Sequence, residues 1–148
     1  ELMPLGVDQQ VGTFVWSPLA AGRLGGRYRR NNPIPEDGRV ARGGAPVGDE
    51  IMSYDLLYNI IDVLEDIAGE TRKTVAQVAL NWLLQRPTMC SLVIGARTEE
   101  HLKLNLGAIG WSLTAEQIKR LDEASKTPKI YPYWHQNQFP ELKSQLIF

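Results

Sequence analysis

The sequence predicts an α/β chain built from parallel β/α units. Three observations carry that expectation: two short β-branched or apolar runs, Thr13 to Trp16 and Ser91 to Ile94; longer amphipathic stretches between and after them; and, behind each run, a loop of residue types suited to gripping phosphate. In such folds ligands sit at the carboxyl ends of the strands, where both loops lie.

Taken in order, Leu2 to Gln10 reads as the end of a helix, and Val11-Gly12 leads into Thr13-Phe14-Val15-Trp16, a run suited to a buried strand that Pro18 stops. From Ala20 to Glu50 the chain is rich in Gly, Pro and Arg without a period, too long for an ordinary connection. Ile51, Leu56, Leu57, Ile60, Ile61, Leu64 and Ile67 then follow a 3.6-residue spacing, with Gly69 as the expected stop. Thr74 and Gln77 form a capping box for a helix that buries Val75, Val78, Ala79, Trp82 and Leu83 and closes at Pro87. After the second strand, Thr98 caps a helix with Glu99 and Glu100 in its first turn, where the macrodipole favours acids, and with Leu102 and Leu106 toward the core. Thr114 and Gln117 form a second capping box ahead of Ile118 and Leu121. The tail KIYPYWHQNQFPELKSQLIF is aromatic and irregular until a last short helix.

Composition narrows the function. At 148 residues, 43% apolar and 22% charged, the chain is long enough for one domain with a core. A net charge of −1 argues against general attraction to nucleic acid or anionic membrane, and no aromatic platform with interleaved basic residues suggests an RNA or DNA surface. No apolar run reaches the length of a membrane span, and ELMPLGVDQQ lacks the basic start and long apolar stretch of a signal peptide. The lone Cys90 rules out an intrachain disulfide and suits a reduced, cytoplasmic setting; in the apolar stretch MCSLVI it reads as a small buried hydrophobe, not a nucleophile. The chain starts at Glu1 within an apolar pattern of Leu2, Met3, Leu5 and Val7, the expectation for a fragment.

The two loops carry the chemistry. After the first strand come the Ser17 hydroxyl, backbone amides around Leu19, Ala20 and Gly22, and the charges of Arg23 and Arg27. After the second, Gly95 permits close backbone approach, Arg97 offers a fork for phosphate, and a helix N-terminus opens behind it. Plainer readings stand beside these: Trp16 as strand core, Arg27 to Arg42 as a solvated loop, Arg97 as a cap or surface residue.

The stretches VWSPLAAGRLGGRY and VIGARTEEHLKLNLGAIGWSLTAEQIKRLDEAS resemble the strand-seven and strand-eight regions of aldo-keto reductases. The resemblance implies the C-terminal part of a (β/α)8 TIM barrel, two parallel strands with several helices, with residues 1–148 as the cofactor-binding portion and the N-terminal half absent. It implies NADP(H) as cofactor and, in the intact enzyme, hydride transfer to a small-molecule aldehyde or ketone. By the same resemblance Trp16 stacks on the nicotinamide ring, Ser17 and Leu19 hold pyrophosphate and ribose, and Arg27 is the basic position ending that loop. Arg39 belongs to the segment that folds over the cofactor. Gly95 and Arg97 form the 2′-phosphate pocket, and His101 and Asn105 contact phosphate and adenine; Leu104 departs from the pattern, since it cannot accept a hydrogen bond where the family often has Glu. The family's catalytic Asp, Tyr, Lys and His come from the first half of the barrel. Tyr28, Tyr131, Tyr133 and His135 do not match them, so the chain alone is expected to be inactive. A different expectation is a half barrel acting as a non-catalytic nucleotide-binding or assembly module. Two strands leave unpaired edges and apolar faces, Val15 and Val93 among them, so the partner is expected to be an N-terminal half or a second copy, with Arg29 to Gly48 poorly ordered when no cofactor is bound.

Overall fold

The computed structural model describes residues 2–43 and 54–127. Its elements are α1 (Leu2–Asp8), β1 (Thr13–Trp16), α2 (Tyr54–Thr71), α3 (Val75–Leu84), β2 (Met89–Val93), α4 (Glu99–Leu106) and α5 (Ala115–Ala124). Ile51 and the tail with Tyr131, Tyr133 and His135 lie outside the described residues.

β1 and β2 pair in parallel, as the alternation of strands and helices requires. Thr13 fixes the start of the pair: its N–H donates to Thr88 O at 2.8 Å, and the two threonine hydroxyls lie 3.0 Å apart. Thr13 stands beside Met89, but Phe14 stands beside Ser91, so Cys90 is an extra residue at a bulge. From there the partners run Val15 with Leu92 and Trp16 with Val93. Gly12 lies against that bulge: a Cβ there would lie 2.2 Å from Cys90 Sγ, so a larger residue would make the thiol turn away. The thiol itself is exposed, which corrects the expectation of a buried cysteine: the bulge turns it outward.

The core lies among the helices. Leu64, Ile67, Val78, Ala79, Leu113 and Leu121 are buried together, joining α2, α3 and α5, with Trp82, Trp111 and Ile118 packed at the margin. A smaller cluster of Tyr28, Leu57 and Ile61 gathers Leu24, Val40 and Tyr58 from the loop after β1 and from α2. Both capping boxes form as the sequence predicts: Gln77 N–H donates to Thr74 Oγ1 and Gln117 N–H to Thr114 Oγ1, each at 3.2 Å, with the reciprocal bonds at 3.0 Å.

Gly69 does not end α2. The helix runs on to Thr71, whose hydroxyl donates back to Ile67 O at 2.7 Å, and Arg72 at φ +54° makes the turn. Nor do Leu102 and Leu106 reach a core: α4 buries no residue, and these two are 40% and 49% exposed. What holds α4 is polar. Gln77, while completing its capping box, also donates Nε2–H to Leu104 O at 2.8 Å. Asn81, 2% exposed, donates to Ala108 O and Trp111 O at 2.9 Å and accepts from Leu113 N–H at 3.2 Å, clamping the α4–α5 connection onto α3.

Candidate cofactor-binding site

Because the strands are parallel and in register at their ends, Trp16 beside Val93, the loops behind them leave from one edge of the pair. This alignment brings Ser17 and Gly95, seventy-odd residues apart in sequence, to the same end of the strand pair. Trp16 is 67% exposed and Val93 50%, so Trp16 is not strand core among the described residues. Val15, expected at the exposed face, is half-buried; Phe14 takes that place at 70% exposed, because the helices cover the Thr13 and Val15 side.

The loop after β1 is wound tightly. Ser17, Ala20, Ala21, Gly22 and Gly26 all have positive φ, a conformation that non-glycine residues adopt at a cost of about 1 kcal/mol or more. The amides of Ala20 and Gly22, read from the sequence as open to phosphate, are spent inside the loop on Ser17 O and Leu19 O, both at 2.9 Å. The Ser17 hydroxyl accepts from Ala21 N–H at 3.3 Å and keeps its own O–H to donate. Leu19 turns inward against the main core.

Arg27 is engaged. It donates Nη1–H to Asp37 Oδ2 at 3.1 Å and Nη2–H to Asp37 Oδ1, and these hydrogen bonds hold the Asp37 carboxyl below its usual range. The same bonds raise the guanidinium. Arg29 and Arg30 pair with Glu65 and Asp62 on α2, so the described part of the long loop, to residue 43, is docked at its base; residues 44–48 lie outside the described residues. Arg39 is exposed.

At the second strand end, Gly95 is exposed and a Cβ there would meet nothing within 4 Å, so its close approach has no protein partner. Arg97 is exposed, with no ion-pair partner among the described residues. Thr98 caps α4 by accepting from His101 N–H at 3.2 Å. His101 and Asn105 follow one turn apart, the first exposed and the second half-buried, and Leu104 is 45% exposed. Among the described residues no group of three His, Cys, Asp or Glu is placed to hold a metal ion. Two shallow concavities among the described residues lie elsewhere, one between α2 and α5 and one by Gly12 and Cys90.

Residues 1–126 match the model of the Aldo/keto reductase family. The chain belongs to the aldo-keto reductase family. An L-glyceraldehyde 3-phosphate reductase of Escherichia coli is 33% identical over 116 residues, 76% of this chain and 33% of its own length. A probable voltage-gated potassium channel subunit beta of Arabidopsis thaliana is 33% identical over 110 residues, 74% of this chain and 33% of its own. The chain thus spans about a third of the length of these aldo-keto reductase relatives. The solved structure of a glycerol dehydrogenase from Gluconobacter oxydans superposes with a TM-score of 0.65 at 23% identity, over 88% of this chain and 39% of that one. The strand pair and helices therefore match part of the aldo-keto reductase TIM barrel. Sequence reasoning missed Asn81 and the Asp37 partner of Arg27, neither of which carries a local pattern; an Asn set between apolar residues, Leu80 and Trp82, on the helix face that the core pattern marks was the signal for the first.

Proposed function

We propose that this chain is the cofactor-holding portion of an NADP(H)-dependent aldo-keto reductase, an oxidoreductase that reduces a small aldehyde or ketone, with the proton donor and its partners supplied by residues outside it. The observation that carries the reading is the shared edge: Trp16 and Ser17 end one strand where Gly95, Arg97 and the capped start of α4 follow the other. The donor set suits a dinucleotide phosphate. Ser17 keeps an O–H to give, Arg97 is a fork with no ion-pair partner among the described residues and lies beside a helix N-terminus, and the exposed Trp16 indole offers a flat face to a ring. When bound, the nicotinamide supplies the hydride. Gly22 and Leu19 shape the turn, Arg27 and Arg39 lie on the segment proposed to meet the cofactor, and His101 and Asn105 extend the surface along α4. The exposed Cys90 suits a reduced, cytoplasmic setting.

Titration of NADPH and NADH against the wild type and Arg97→Ala tests the reading. NADPH affinity is expected to fall by about 1.5 to 3 kcal/mol, the scale of a charge-assisted hydrogen bond, with NADH little changed. Equal weakening of both would mean that Arg97 supports the loop without reading the 2′-phosphate.

A second reading, a non-catalytic nucleotide-binding or assembly module, is favoured by the channel-subunit relative and by the exposed Phe14, Trp16 and Val93 face, suited to an N-terminal half barrel or a second copy. NADPH oxidation with a generic aldehyde separates the two: turnover once the barrel is completed supports the reductase, and binding without turnover supports the module. Steady turnover by this chain alone would place the proton donor within it.

A further inference from the structure

The loop after β1 contains its own anion. The fork that Arg27 presents to the two Asp37 oxygens is the geometry a guanidinium offers equally to two oxygens of a phosphate. The chain between them is anchored at its base: Tyr28 is buried against Leu57, Ile61 and Val40, while Arg29 and Arg30 hold to Glu65 and Asp62. The pair at its mouth is open to solvent, with side chains 52% and 56% exposed. A second observation concerns the turn that carries Asp37. Gly38 N–H donates to Pro35 O at 2.9 Å, and this turn presses on the Tyr28 ring so closely that a Cβ on Gly38 would lie 3.2 Å from the phenol oxygen. That hydroxyl is buried with no hydrogen-bond partner among the described residues. A buried, unbonded hydroxyl costs free energy, and lifting the turn would relieve it by admitting water.

We propose that Asp37 is a latch: it occupies the Arg27 fork in the absence of ligand and is displaced by a pyrophosphate-bearing ligand, releasing the turn from Pro35 to Arg42. The inference rests on the reading of Arg27 as part of the segment that meets the cofactor, and gives it a phosphate to hold there. An exposed ion pair opposes the ligand only weakly, so removing the carboxylate should tighten binding by about two- to fivefold.

The full chain, titrated with inorganic pyrophosphate as wild type, Asp37→Asn, Asp37→Ala and Arg27→Ala, provides the test, with hydrogen exchange followed at the Gly38 and Arg42 amides. Both Asp37 variants should bind more tightly, and both amides should exchange faster when wild type meets pyrophosphate and already fast in the Asp37 variants without it. If the Asp37 variants bind no better than wild type while Arg27→Ala loses binding, the phosphate role of Arg27 stands and the latch is overturned. If Arg27→Ala binds as wild type does, that role falls and the latch with it.

Discussion

The helical layer and the strand pair are built to opposite rules. In α2 and α3, Ile61, Ile67, Val78 and Leu80 keep 1% or less of their surface, whereas Phe14 and Trp16 on β1 keep 70% and 67%. Since apolar burial contributes roughly 25 cal/mol per Å2, the helices stabilise the unit and the strands chiefly present an edge. Buried packing and exposed strand surface are thus divided between two regions.

The comparison is broken most directly by truncating each side. Ile67→Ala, at a fully buried position, should cost about 2 to 5 kcal/mol in a denaturant titration, while Phe14→Ser should stay within about 0.5 kcal/mol. Equal losses would mean that the strand face is buried in solution. Asn81→Leu should cost about 2 to 3 kcal/mol, because the Leu113 amide and two carbonyls lose their partner in a buried place; a cost under about 0.5 kcal/mol in the same titration would show that the clamp is dispensable.

A smaller effect is expected where α4 meets α3. Gly107→Ala would set a Cβ 2.3 Å from Gln77 Nε2, moving that amide off Leu104 O for a loss of about 1 kcal/mol, read also as faster exchange in α4. Unchanged exchange would show α4 to be held by something else. Smallest is the acid response of the α2–α5 ion pairs. Arg120, then Gln117, hydrogen-bonds Glu70 and holds its carboxyl below the usual range. A depressed folded value contributes stability that is present above the ordinary carboxylate range and is lost as pH falls through the folded value. In an acid titration, wild type should therefore lose slightly more stability than Glu70→Gln; parallel curves would refute it. The exposure of the group keeps the difference small.

What the sequence made legible was local. Thr74 with Gln77 and Thr114 with Gln117 form capping boxes because the partners lie three residues apart, and β1 has the bounds its β-branched and aromatic run implies. What stayed hidden depends on distant partners. Leu102 and Leu106 have helical spacing, yet only a neighbour could bury them; Arg27 looks free until Asp37 folds back; Gly69 reads as a stop, but Arg72 turns the chain three residues later. The site follows the same division: the strand ends were readable, whereas the internal use of the Ala20 and Gly22 amides was not.

The bulge at Cys90 sets the parity of β2. Ahead of it the odd-numbered Met89 faces the helices; beyond it the even-numbered Leu92 shares that side with Val15, and Val93 falls in line with Trp16. Were Cys90 taken into the ladder without a bulge, it would stand beside Phe14 and Ser91 beside Val15, exchanging inside for outside for the residues that lead into the Gly95 loop. This five-residue strand should accordingly accept loss of the extra residue at its bulge more readily than an insertion, which would need a second bulge to keep Val93 in line with Trp16.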